Sequence, residues 1–285
     1  MLLPVSTWTD IETWLKTSKT IVIPIGSMEQ HGPNGFIGTD ALCPEIIARE
    51  AEKLAPEDML VGPTFSVGCA QHHLGFPGTI TLRPSTMIAA MADWTESLMR
   101  HGFERIYWLN GHGGNIATIE AAFSEIHARR SFDPRGEDNR HGLSLKRRDW
   151  WDFKSVMSLC NQLYPVGHGS HATASEVSVT YYGYPDHARA DVEMTPKIPE
   201  RQDWRCRAIA PRLPGWPYRI GPNAIECGRR GKDRGSRRAG GAGRGTPLLR
   251  IERVASTLGH WPDSPKNGIT RLPGKDLSRR MLDIQ

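Results

Sequence analysis

The sequence predicts an α/β fold, a three-layer α/β/α arrangement around a mostly parallel central sheet. Two observations carry that expectation. Short apolar or β-branched runs of strand length alternate with longer segments at helical period, and strand–loop–helix alternation is the signature of a parallel sheet covered by helices. Each cluster of polar, chemically competent residues also follows a strand or opens a helix. In parallel sheets ligands bind there, beyond the carboxyl ends of the strands.

The elements follow in order. Residues 8–17 read as a short amphipathic helix with Trp8, Ile11, Trp14 and Leu15 on one face. Thr20-Ile-Val-Ile-Pro-Ile25 is a strand, favoured by its β-branched residues. A polar loop leads to helical spacing over residues 41–54, and Met59-Leu60-Val61 reads as a second strand. Residues 85–101 predict a helix with Ser85 as N-cap, ending before Gly102. Arg105-Ile-Tyr-Trp-Leu109 is a third strand, running into Asn110-Gly-His112-Gly-Gly-Asn115. Residues 116–130 are helical, a strand lies near Leu143–Arg147, and a helix starts near Ala172.

The 285 residues, 38% hydrophobic and 24% charged, suffice for one substantial α/β core. No Pro/Gly/Ser linker breaks residues 1–200, which are read as one catalytic domain, with 201–285 as an atypical basic Arg/Gly-rich segment. No apolar run approaches the roughly 20 residues that span a bilayer, so no membrane association is expected. Met1–Val5 lacks the basic flank of a signal peptide. The five cysteines (43, 69, 160, 206, 227) are scattered without a CxxC spacing, which suits reduced thiols and a cytoplasmic location. Residues 1–200 hold 17 Lys/Arg against 24 Asp/Glu, whereas residues 201–250 hold 13 against 3. The candidate catalytic part is therefore acidic, and the tail supplies the net charge of +5.

Within the acidic part, Glu29 and His31 stand two apart, so in extended backbone they project to one face. Imidazole and carboxylate together suit zinc, manganese or iron, although the same pair also fits a solvated loop. Asp40 fits either a helix N-cap or a carboxylate that bridges two cations. His112 leaves a strongly apolar strand and meets two glycines, which permit close backbone approach; the flanking asparagines can fix the turn by bonding to backbone. Glu176 falls in the first turn of a helix, where the dipole alone favours an acid. His171 at the helix entry could serve as a general acid or base. The Phe76-Pro-Gly-Thr79 turn could present His73 to the same place. Trp150-Trp151-Asp152 offers either an aromatic wall or core packing.

Taken together, five segments resemble the creatininase (creatinine amidohydrolase) family: Pro24-Ile-Gly-Ser-Met-Glu29-Gln-His31-Gly, Gly38-Thr-Asp40, His73-Leu-Gly-Phe-Pro-Gly-Thr79, Asn110-Gly-His112-Gly-Gly-Asn115 and His171-Ala-Thr-Ala-Ser-Glu176. They occur in family order between about residues 8 and 187. The resemblance implies a creatininase-like fold, two divalent metal ions per chain (Zn or Mn), and assembly as a homo-oligomer, often a hexamer. On the matching positions it makes Glu29, His31, Asp40, His112 and Glu176 metal ligands, with Asp40 the bridge. It makes His171 and His73 catalytic histidines, and places Trp151 and Gly114 at the substrate. The charge of two divalent ions is balanced by three carboxylates and a bridging hydroxide, so the centre can be buried.

The implied chemistry is hydrolysis of a C–N bond in a small cyclic amide, formamide or related substrate by a metal-activated hydroxide. His171 would pass a proton to the departing nitrogen. Gly114 stands where creatininase proper has a carboxylate, and Gly167 where it has a second tryptophan, which argues against creatinine itself. Two other classes remain open: a metal-binding relative without activity, and a nucleic-acid binder driven by the basic stretch 228–250, which includes the Arg/Gly run 228–245. That run has the composition of a disordered segment. It fits an out-of-frame read of a GC-rich gene or a genuine basic arm; the absence of interleaved aromatics argues against nucleic acid.

Overall fold

The computed structural model describes residues 1–133, 142–165, 170–189 and 192. The basic segment 201–285, Gly167 and His168 lie outside the described residues. Strands β1 (Thr20–Ile25), β2 (Arg105–Asn110) and β3 (Ser144–Asp149) pair in that order, all parallel. Six α-helices accompany them among the described residues: α1 (Trp8–Thr17), α2 (Thr39–Leu54), α3 (Pro84–Arg100), α4 (Ile116–Phe132), α5 (Lys154–Leu163) and α6 (Ala174–Gly183).

Strand side chains alternate between faces, and the two halves of the core follow from that period. Ile21, Ile23, Ile25, Ile106 and Trp108 pack with Trp14 of α1, Met87 and Met91 of α3, and Ile119 and Ala122 of α4. Val22, Tyr107 and Leu109 pack with Cys43, Ile46 and Ile47 of α2, Val156 and Cys160 of α5, and Val179 of α6. The result is the expected three-layer sandwich. None of the described helices is long and apolar enough to cross a membrane.

Several local expectations are corrected. Trp8 does not join the buried face of α1; it is 77% exposed, and Trp14 anchors the helix with Ile11 and Leu15 beside it. The capping box of Thr7 and Asp10 fixes the helix start at Trp8. Ser85 is not the N-cap of α3. Pro84 takes the first helical position, where its missing N–H costs nothing, and Arg83 precedes it. Met59–Val61 forms only isolated bridges, although Val22 and residues 60–62 exchange backbone bonds. Pro24 interrupts that ladder, since proline has no N–H to give; its carbonyl instead accepts from the Phe65 N–H at 2.8 Å, and Gly26 donates to the Phe65 carbonyl at 3.0 Å. Helix α5 carried no sequence expectation.

One packing constraint positions everything below. The backbone carbonyl of Asp40, in the first turn of α2, lies between the exits of β1 and β2. A Cβ on Gly26 would stand 2.1 Å from that oxygen, and one on Gly111 2.0 Å from it. Only glycine at both positions lets α2 seat directly on the strand ends. Gly111→Ala is therefore expected to lift the start of α2, destabilising the fold by about 1–3 kcal/mol or more. Thermal unfolding of the variant should give a lower Tm, and an unchanged Tm would contradict the clamp.

Candidate metal centre

Each functional side chain stands at the exit of a strand or the start of a helix. Glu29 and His31 follow β1, His112 follows β2, Asp40 lies in the first turn of α2, and Glu176 is the third residue of α6. The exits are tied together by asparagines, as the sequence suggests. Asn110 donates to the His112 carbonyl and to Asp149 Oδ1 at the end of β3, both at 2.8 Å. Asn115 accepts from the Cys69 amide and donates to the Gly26 carbonyl, both at 2.9 Å.

Asp40 is not the N-cap of α2, a position taken by Gly38. Its carboxylate instead lies between two imidazoles, with Oδ1 2.9 Å from His31 Nε2 and Oδ2 2.7 Å from His112 Nδ1. Each ring is turned by a backbone carbonyl on its far side. His31 Nδ1 donates to Glu29 O at 3.1 Å, and His112 Nε2 to Cys69 O at 3.0 Å. A carbonyl bond of this kind fixes the tautomer that leaves the other nitrogen free for a metal. Glu176 does close a capping box with Thr173, the ordinary role of an acid at that position. Its Oε1 also lies 3.9 Å from His31 Nε2. The cap and the approach to His31 are compatible in one side-chain position.

Two groups of potential ligands share Asp40: Glu29, Asp40 and His112, and His31, Asp40 and Glu176. Within each, the donor atoms lie within 4.8 Å of one another. All five residues are buried, and Glu29 Oε1 and Asp40 Oδ2 have no hydrogen bond of good geometry. Buried carboxylate oxygens left in that condition, facing correctly turned imidazoles, fit a divalent cation.

His73 and His171 join the same cluster, with Nε2 of His73 3.6 Å and Nδ1 of His171 3.4 Å from Glu29 Oε1. Gly114 sits against the His112 ring: a Cβ there would fall 2.3 Å from Nε2, so its contribution is room for that ring. Trp151, half-buried just beyond β3, stands edge-on to Trp150 and packs on the α2–α5 core. Two members had no role in the sequence reading. His72 stacks parallel on His112, with ring centroids 5.9 Å apart, and adjacency to His73 was its one signal. Gln30 bridges His73 and His171; an uncharged amide between Glu29 and His31 gives no signal by composition.

A parallel α/β sandwich with buried imidazoles and carboxylates crowning its strand ends defines a protein with a candidate metal centre. The chain belongs to the creatininase family: the model of that family, described as creatinine amidohydrolase, matches residues 5–242. It is 26% identical over 192 residues to creatinine amidohydrolase of Pseudomonas putida, covering 63% of this chain and 70% of that protein. It is 33% identical over 120 residues to the mycofactocin precursor peptide peptidase of Mycobacterium tuberculosis (strain ATCC 25618 / H37Rv), covering 39% and 47%. The match thus spans about half the length of that relative. Among solved structures, "Creatininase Mn" superimposes with a TM-score of 0.69 at 20% identity, over 90% of this chain and 95% of that one. A mutant creatininase of "Zn-Zn type" gives 0.63 at 22% identity, over 79% and 86%.

Burial and mutual charge push the groups of the cluster in opposite directions. Burial, then repulsion from Asp40, raises Glu29 to about 8. Burial opposes protonation of His31 and His112, but Asp40 beside them wins and raises them to about 10 and about 9. Burial would raise Asp40, yet His31 and His112 hold it far below the usual carboxylate range. Burial lifts Glu176 to about 7 against the pull of His31. His73 falls to about 3 and His171 well below its ordinary value, through burial and the surrounding histidines.

The sign of the pH dependence follows. His31 and His112 contribute stability that is complete below their ordinary 6.5 and lost as pH rises through about 10 and about 9, respectively. Glu29 adds a growing penalty from its ordinary 4.5 up to about 8. The chelated protein should therefore lose stability between about pH 6 and 9. Metal ions bind the deprotonated ligands, so their affinity should rise over the same range. The increase in Tm on adding Zn²⁺ or Mn²⁺ is expected to grow with pH; an increase that shrinks or stays flat in scanning calorimetry would contradict the assignment.

Proposed function

We propose that this chain is a metal-dependent hydrolase that cleaves a C–N bond of a small cyclic amide, formamide or related substrate. The observation that carries the reading is the pair of ligand groups sharing the Asp40 carboxylate. In this reading Glu29, Asp40 and His112 would hold one divalent ion, and His31, Asp40 and Glu176 a second. When bound, such ions supply an activated water and polarise a carbonyl oxygen. Zinc and manganese both suit the ligand set.

The protein's own groups then have separate tasks. His171, about a third exposed above a buried cluster, is the histidine placed to meet a substrate. His73 lies beneath it, with ring centroids 4.6 Å apart. Trp151 supplies an aromatic wall beyond β3, and Gly114 keeps the space that lets His112 turn its Nδ1 to Asp40. Burial of the ligands excludes bulk water and strengthens each electrostatic contact.

A cytoplasmic location belongs to the same reading and is supported by the buried free thiols of Cys43, Cys69 and Cys160. So does assembly as a homo-oligomer, a hexamer by family resemblance.

The test is a panel of lactams, formamides and other small amides, assayed with added Zn²⁺ or Mn²⁺ alongside metal analysis. About two ions per chain and turnover of a panel member are expected. Asp40→Asn should lower the metal content and reduce turnover by more than the about 10–100-fold that outer-shell changes cost. Stoichiometric metal with no turnover on any amide would favour the inactive metal-binding relative instead.

A further inference from the structure

Gln30 lies at the centre of the histidine pair and has no part in the ligand set. Its side chain is buried and makes three hydrogen bonds. Oε1 accepts from the Gly32 backbone N–H at 2.9 Å, while Nε2 lies 2.9 Å from His73 Nδ1 and 3.0 Å from His171 Nε2. Gly32 N–H can only donate, so the atom bonded to it must be the carboxamide oxygen. That settles which way the amide faces. The amide nitrogen then offers two N–H groups, one to each ring, and each ring nitrogen that meets it must present a lone pair.

We propose that Gln30 is a positioning residue that fixes the tautomers of both histidines, placing the proton of His73 on Nε2 and that of His171 on Nδ1. Both protonated nitrogens then lie on the side of Glu29, 3.6 and 3.4 Å from its Oε1 and without a hydrogen bond to it. The two rings form a pair of N–H donors aimed into the cluster, stacked at 4.6 Å and 30°.

This arrangement narrows the role that the resemblance implies for His171, passing a proton to the departing nitrogen: the ring nitrogen on the side of Glu29 already carries a proton and cannot first accept one there. A shuttle needs a lone pair on the nitrogen facing the reaction and a proton on the far nitrogen, held by an acceptor. Here the far nitrogen faces a donor. In the hydrolase proposed above, on which this consequence rests, His171 therefore serves as a hydrogen-bond donor to oxygen. An N–H aimed where charge develops on a carbonyl oxygen stabilises it without any transfer of the proton. The same constraint makes the loop geometry at Gly32 part of the site, since that amide sets the orientation of Gln30.

The test is spectroscopic and needs neither turnover nor metal. The full chain is labelled with ¹⁵N-histidine, two-bond ¹⁵N–¹H correlations are recorded, and the two rings are assigned by loss of their signals in His73→Asn and His171→Asn. The wild-type chain should show His73 protonated at Nε2 and His171 at Nδ1. Gln30→Leu should collapse both preferences towards mixed tautomers. Gln30→Glu, whose oxygens only accept, should invert them. A wild-type spectrum with the proton on His73 Nδ1 or on His171 Nε2 would overturn the proposal, as would variants that leave both rings unchanged. The wild-type spectrum decides the matter even where a variant does not fold. A chain that hydrolyses no amide can still pass or fail, which separates this inference from the proposed activity.

Discussion

The structure depends on one interaction, the Asp40 carboxylate held between the imidazoles of His31 and His112. Three carboxylates, those of Glu29, Asp40 and Glu176, converge in a space from which solvent is excluded. Such a set is untenable without positive charge, since an unpaired buried carboxylate costs several kcal/mol. Protons on the two imidazoles, on Glu29 and in part on Glu176 supply it when no other cation does. Raised values at about 8, 9 and 10 are the expression of that need. Divalent ions meet the same need with better geometry, because the backbone carbonyls of residues 29 and 69 already turn each ring so that one nitrogen faces Asp40. The fold thus pre-pays the orientation of the ligands in backbone hydrogen bonds.

That interaction exists only because the chain lets α2 touch the sheet. The peptide of Asp40 fits between Gly26 and Gly111, each beyond the end of a strand, so the carboxylate arrives beside residues far away in sequence. The asparagines at 110 and 115 stitch the same exits together, and Asp149 braces Asn110 from the third strand. Function and architecture are linked through these few contacts. The candidate metal centre is what the strand ends look like once their polar groups have been directed to a common point.

Much of this was legible in the sequence, and the reasons are physical. Strands and helices showed as a change of apolar period. The clustered side chains showed because imidazoles and carboxylates at strand exits are costly to bury unless paired. Other features carried no such signal. Gln30 is uncharged, and its role appears only when His73 and His171, distant in sequence, meet it. Trp8 shares the helical period of Trp14 but falls on the first residue of α1, and period says nothing of where the packing ends. The segment 59–61 has strand composition, but its pairing with β1 is interrupted at Pro24, which lacks an N–H, and resumes only at Phe65. Glu176 shows a further limit: its capping role and its approach to His31 are compatible, so choosing one from sequence would have been a false choice.

The glycine at 114 bears on which third carboxylate the centre uses. A side chain there would start 2.3 Å from His112 Nε2 and 2.8 Å from the carbonyl of Cys69, the two atoms whose hydrogen bond turns the His112 ring. A residue with a Cβ at 114 must break or move that bond, so its identity and the pose of His112 are not independent. A chain that keeps the Cys69 bond must keep glycine at 114 and draw its remaining carboxylate from elsewhere. Here the available source is Glu176, whose backbone is held by Thr173 at the start of α6 and whose carbonyl accepts from the Cys43 thiol of α2 at 3.4 Å. The candidate ligand set is therefore tied to how α2 and α6 pack, and in this chain a side chain at 114 could enter only by repositioning the His112 imidazole.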